Sequence, residues 1–205
     1  MKKYKLTDET IEYNCVTLYR IEALRNFGSI KTGDKGGFVQ SYHNLSQEGD
    51  CWIHGEAKVF GNAKVYENAQ VFGSAEVWGY ASVKGDAFVF GRAKVYGSAF
   101  VKGNAFVHGD AEVYDKAEVF GVASVYGNAF VKGDAIIKTG RDYIVFKNWW
   151  SSDRYFTWTR SNNMWNVGCF YGTGKELIKK AYADSEDSGK EYERVVRYVE
   201  SILAD

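Results

Sequence analysis

The chain has 205 residues, enough for one or two domains, and its 26 basic and 26 acidic side chains cancel. Zero net charge argues against a general electrostatic grip on nucleic acid, so nucleic-acid binding is not expected. The absence of a signal peptide or a long apolar run points to a soluble, cytoplasmic protein with no membrane partner. The three cysteines, Cys15, Cys51 and Cys169, are odd in number and unclustered, which leaves no disulfide framework and no metal-ligand spacing.

Residues 1–50 read as an N-terminal cap and lead-in. Ile11 to Tyr13 and Val16 to Tyr19 flank Asn14-Cys15, a tight hairpin turn, although Cys is a poor second residue there. Ile21 to Phe27 is compatible with either a short helix or a continued strand. Gly33 to Gly37 is a turn-rich link.

From Cys51 to Lys138 one six-residue phrase repeats without interruption. Its cleanest form is Gly103-Asn104-Ala105-Phe106-Val107-His108, followed by Gly109-Asp110-Ala111-Glu112-Val113-Tyr114. Every sixth residue is Ala from Ala57 to Ala135, and Val from Ile53 to Ile137 with Ile at the two ends. A Gly slot recurs between them, broken only at Glu67 and Asp115. Six is far from a multiple of 3.6 but is even, so the period belongs to strands rather than to a helix stripe. Ala and Val stand two apart and face inward together; the residues between and after them are variable and face out. Gly and the following Asn, Asp or Ser supply the bend. Cys51 occupies an Ala slot as a small buried filler. A short strand plus a bend at fixed period is a solenoid, whose first turn needs a cap because an open end exposes core and strand edges.

These phrases resemble the hexapeptide-repeat proteins. That resemblance implies a mainly β fold, a left-handed parallel β-helix in which three phrases make an 18-residue turn. The sequence carries an independent check. At a stride of 18, Lys58, Glu76, Lys94 and Glu112 alternate in sign, and Phe60, Trp78, Tyr96 and Tyr114 form an aromatic column. The stretch 51–138 then makes about five turns, roughly 24 Å tall at strand spacing. The lead-in Gly36-Gly37-Phe38-Val39 through Asn44-Leu45-Ser46-Gln47-Glu48-Gly49 is similar to that of the YdcK-like subfamily, to which transferase activity is ascribed and which occurs in bacteria and their phages.

After Thr139-Gly140 the composition changes. Trp149, Trp150, Trp158 and Trp165 fall close together, and Tyr143 to Phe146, Tyr155 to Thr159 and Met164 to Tyr171 read as three strands, the last two around a turn at Asn162-Asn163. Thr173 with Glu176, and Ser188 with Glu191, fit capping boxes opening two helices. Residues 141–205 are therefore expected to form a small β-β-β-α-α domain. Its middle, Val167 to Thr173, resembles a module of hypothetical phage proteins, and its tryptophans are candidates for recognition.

Sorted at 18 residues, the outward slots define three faces. The first carries Trp52, His54, Gln70, Phe72, Phe88, Phe90, Phe106, His108, Ser124 and Tyr126, with six aromatics and no formal charge. A soluble monomer seldom leaves such a patch bare. Either the C-terminal domain covers it or it is an interface with another protein or another copy, the latter favoured; the hexapeptide resemblance implies homo-oligomers, a trimer or dimer. The second is the charge ladder, read as a solvated, cross-strand-paired surface. The third holds Lys64, Tyr66, Ser82, Lys84, Phe100, Lys102, Glu118, Phe120, Ile136 and Lys138; Lys84, Lys102 and Lys138 are candidates for a phosphate-bearing ligand, against the plainer role of solubility.

Many hexapeptide-repeat proteins are acyltransferases using acetyl-CoA or acyl carrier protein, and the resemblance implies a His acting as general base between subunits. Of His43, His54 and His108, the last is the candidate, mid-solenoid and two residues from Asp110; as a plain polar filler it needs no role. No loop interrupts the repeats, where such enzymes commonly insert one. The expectation is a non-enzymatic, oligomeric protein-binding scaffold without a cofactor, for which a phage-encoded inhibitor of a host protein is one setting.

Overall fold

A computed structural model describes residues 2–149 and 152–204. It divides into two compact units, Met1–Asp142 and Tyr143–Asp205, so the lead-in is part of the solenoid unit rather than a domain of its own.

The first unit is a parallel β-solenoid. Strands β1 (Tyr4–Tyr13), β2 (Val16–Ala23) and β3 (Lys35–Val39) precede fifteen two-residue strands, β4 (Trp52–Ile53) to β18 (Ile136–Ile137), spaced six residues apart. These stack into three sheets: β4, β7, β10, β13 and β16; β6, β9, β12, β15 and β18; and β3, β5, β8, β11, β14 and β17, which β1 and β2 extend. The register is Trp52↔Gln70, Lys58↔Glu76 and Lys64↔Ser82, an 18-residue turn from β4 to β18, whereas β3 joins at 20 residues, Phe38↔Lys58. Every Ala and Val slot from Ala57 to Ile137 is fully buried. At the corners the glycines hold positive φ, +71° at Gly85 for example, and a Cβ there would sit 2.8 Å from the Gly103 nitrogen. Glu67 and Asp115 adopt the same region at 60° and 58°. Glu67 offsets part of that strain, since its carboxylate accepts the Gly85 N–H at 2.9 Å.

The outward residues' N–H groups donate to Ala- and Val-slot carbonyls of the next rung, as Trp52 N to Ala69 O at 3.1 Å and His54 N to Val71 O at 2.8 Å. The first turn's carbonyls therefore need donors from outside the repeat. The lead-in provides them. Phe38 N and Gln40 N reach Ala57 O and Val59 O, and Ser46 N reaches Val65 O. The buried Asn44 amide donates to Gly61 O (2.9 Å) and Ala63 O (3.0 Å). Lys3 Nζ, fully buried, donates to Cys51 O at 2.9 Å, and Arg20 Nη1 to Gly55 O at 3.1 Å. Burial pulls the Lys3 ammonium below its ordinary pKa and pushes the neighbouring Cys51 thiol up.

The hairpin turn at Asn14-Cys15 forms, with both residues at positive φ (51° and 62°) as a type I′ turn requires. The ambiguous stretch after Ile21 resolves as strand to Ala23 and then bends, and the link expected over Gly33–Gly37 becomes strand from Lys35. Strand β1 is the sheet edge. Gln47 Oε1 accepts its Lys3 and Tyr4 N–H groups, and Tyr42 OH accepts that of Leu6. A register shift between Leu6 and Thr10, with Asp8, Glu9 and Glu12 nearby, blunts the rest.

The second unit contains a four-stranded antiparallel sheet, β19 (Tyr143–Asn148), β20 (Arg154–Thr159), β21 (Met164–Val167) and β22 (Phe170–Gly172), followed by α1 (Gly174–Asp184) and α2 (Glu186–Ala204). It has one strand more than the three expected. The third segment splits because Gly168 takes positive φ (56°) and turns the chain back on itself. The Thr173–Glu176 capping box is formed. The Ser188 box is not: α2 starts earlier, and Ser185 Oγ accepts the Ser188 N–H at 3.1 Å. Phe156, Trp158, Trp165 and Val167 pack against Leu177, Tyr192, Val195, Val196 and Val199 of the helices. Among the described residues, no helix is long and apolar enough to cross a membrane.

Candidate functional surface: the aromatic face of the solenoid

The sheet of β4, β7, β10, β13 and β16 presents two outward columns, one before and one after each buried Val. In the first, Phe88 and Phe106 stack at 5.2 Å with planes 6° apart. In the second, Phe72, Phe90 and His108 stack at 4.8 and 4.7 Å, both at 2°, and Tyr126 continues below at 5.4 Å and 13°. Rung spacing dictates this, since parallel in-register strands place identical slots one strand separation apart. Rings lying flat on the face would clash at such centroid distances. With near-parallel planes they are instead offset-stacked, each ring's faces turned partly to its neighbours. No Asp, Glu, Lys or Arg occupies any of the ten slots.

The two ends of the face differ. Trp52, expected on the surface, is 1% exposed: Phe27 and Tyr4 of the lead-in pack on it edge-on at 5.3 and 6.1 Å. That correction follows from the cap's need to cover the first turn, which no repeat pattern foretells. Beside it lies an open recess of about 550 Å³ lined by Ser29, His54, Gln70, Phe72 and Phe88. His54 Nε2 donates to Gln70 Oε1 at 2.8 Å, and Gln70 Nε2 donates to the Asp50 carbonyl, also at 2.8 Å, so the recess floor is hydrogen-bonded and fixed. Ser29 was not foreseen, because it comes from the lead-in turn between Phe27 and Ile30. At the other end the face protrudes: Phe106 is 38% and Tyr126 56% exposed.

His108 Nε2 lies 3.3 Å from Ser124 Oγ, and burial lowers its pKa, which favours the neutral imidazole. Asp110, two residues on and the carboxylate expected to serve it, is instead turned to Arg92 at 2.7 and 2.9 Å. His54 stands three rungs away in the same column, and His43 lies in the lead-in loop. Among the described residues no group of three or more His, Cys, Asp or Glu could hold a metal ion.

On the lysine face the candidates are engaged. Lys102 pairs with Glu118 at 2.8 Å and lies over Phe120; Lys84 lies 3.8 Å from Glu67 and over Tyr66. Lys138 also sits over Phe120, at 5.6 Å. A phosphate would have to displace these partners, which weakens the ligand assignment for Lys84 and Lys102. A readable signal existed. A long side chain after one Val reaches the slot before the Val of the next turn, 16 residues on. Lys102–Glu118, Tyr96–Glu112, His54–Gln70 and His108–Ser124 all obey it.

In the second unit, Trp158 and Trp165 are core residues, with Trp158 Nε1 donating to Asn163 Oδ1 at 2.9 Å, so neither is available for recognition. Trp149 is exposed, and Trp150 lies outside the described residues. No protein-family model matches this sequence, and a search of curated proteins finds no match.

Proposed function

We propose that the chain is a non-enzymatic protein-binding scaffold that self-associates, and that the aromatic face is its binding surface. The observation that carries this is the uncharged, stacked ladder of Phe72, Phe88, Phe90, Phe106, His108 and Tyr126 on a hydrogen-bonded solenoid. Sugars and nucleobases bind aromatic platforms through ring faces, and here the faces are turned partly to one another. Stacked rings suit the interdigitated side chains of a protein surface, where aromatics are enriched and charges depleted. The scaffold is pre-organised, so little side-chain entropy is lost on binding.

Static light scattering of wild type against a Phe88→Glu, Phe106→Glu double variant tests the reading. Buried carboxylates should convert an oligomer to monomer while leaving the circular dichroism unchanged; an unchanged mass would overturn it. Calorimetric titration with acetyl-CoA tests the competing acyl-transfer reading. Saturable binding lost in His108→Ala would sink the scaffold proposal.

A further inference from the structure

Resting on that reading of the face, we infer that its partner is a second copy of this chain packed antiparallel. Each copy's Tyr126 then enters the open recess between Ser29, His54, Gln70, Phe72 and Phe88 of the other.

The argument is one of self-complementarity. The face has a shallow, open recess of about 550 Å³ at its N-terminal end and an exposed aromatic side chain at its C-terminal end. A contact between identical surfaces must satisfy each copy with the other's features. Rotation about an axis parallel to the solenoid, two-fold or three-fold, sets rung against like rung, so knob meets knob and hollow meets hollow. Rotation about a two-fold axis along the strands reverses the rungs. It places Tyr126 opposite the second copy's His54, Phe106 opposite its Gln70, and Phe88 opposite its own counterpart. The Tyr126 hydroxyl then arrives beside the polar atoms of His54 and Gln70, and its ring beside Phe72.

Charge permits this arrangement. The ten outward slots carry no ionised side chain, so the face does not repel itself. On its flanks Asp86 and Arg92 would meet their own counterparts: Arg92 is paired with Asp110 at 2.7 Å, and Asp86, which accepts from the neutral Asn68 amide at 3.0 Å, keeps its charge at the exposed, salt-screened rim. Area sets the strength. Five rungs at about 4.8 Å by roughly five strand residues at about 3.3 Å outline a face of about 400 Å². That is near half of the ~800 Å² per partner typical of stable complexes, which makes the pair reversible and concentration-dependent.

The test combines sedimentation with disulfide trapping. Wild type should shift from monomer to dimer over a dilution series, and Tyr126→Ala should weaken dimerisation at least tenfold, with Tyr126→Phe keeping most of it. For orientation, Ser29→Cys and Val122→Cys proteins, each lacking Cys15 and Cys169 through Ser substitutions, are mixed and oxidised. Antiparallel packing sets the corner of Val122 against the second copy's Ser29 turn and yields the mixed crosslink. Like-with-like crosslinks, or a trimer dispersed by Phe88→Glu with Phe106→Glu, would overturn the antiparallel pair while leaving the face a binding surface. A wild-type monomer at every concentration would overturn both.

Discussion

Asn44 is the most economical place to break the cap. It is fully buried, and its side chain makes three hydrogen bonds at once. Nδ2 donates to Gly61 O at 2.9 Å and to Ala63 O at 3.0 Å, while Oδ1 accepts the Ser41 N–H at 2.9 Å. Asn44→Ala deletes the donor to two first-turn carbonyls. Leaving a buried polar group unsatisfied costs about 1–3 kcal/mol. Ala63 O is buried and takes close to that penalty; Gly61 O and Ser41 N are partly reachable by water and take less. The expected loss is therefore about 2–4 kcal/mol, a lowering of the solenoid unit's melting temperature by roughly 5–15 °C. Asn62→Ala, exposed at the neighbouring corner, is the control and should stay within about 0.5 kcal/mol. Urea denaturation followed by far-UV circular dichroism measures the total, and hydrogen exchange locates it. Turns of a solenoid contact only their neighbours, so amides of the first turn should lose protection while those beyond Lys94 keep theirs. A loss below about 0.5 kcal/mol, or an even loss of protection along the whole solenoid, would refute the view that the lead-in supplies the missing donors.

Ala93→Leu, in the middle of a fully buried column, should overpack the core and cost about 1–3 kcal/mol by urea denaturation. A neutral result would mean that the interior holds unfilled space. In the second unit, the Thr173 N–H and hydroxyl hold the Glu176 carboxyl below the ordinary carboxylate range. A carboxyl with a depressed folded pKa contributes stability above its unfolded pKa, and that contribution is lost as pH falls through the folded value. Helical circular dichroism should thus weaken on the acid side of the ordinary Glu range, and Glu176→Gln should flatten that dependence; an identical acid profile in the variant would contradict the capping role.

The period of six, the buried Ala and Val and the alternating Lys58, Glu76, Lys94 and Glu112 were all readable because they are local. A strand-and-bend phrase repeats its own side-chain directions, and in-register stacking converts an 18-residue stride into contact. The aromatic face was legible for the same reason, and so, in retrospect, were its 16-residue diagonals. Trp52 was not. Its slot is outward by period, yet Tyr4 and Phe27 bury it, and they lie 48 and 25 residues away. Nor could the sequence say that Lys3, Arg20 and Asn44 carry the first turn's carbonyls, or that Ser29 would shape a recess beside Phe88. A repeat specifies every turn by its neighbours, but the first turn has only one. What completes it must come from segments outside the period, and their positions exist only once the chain has folded.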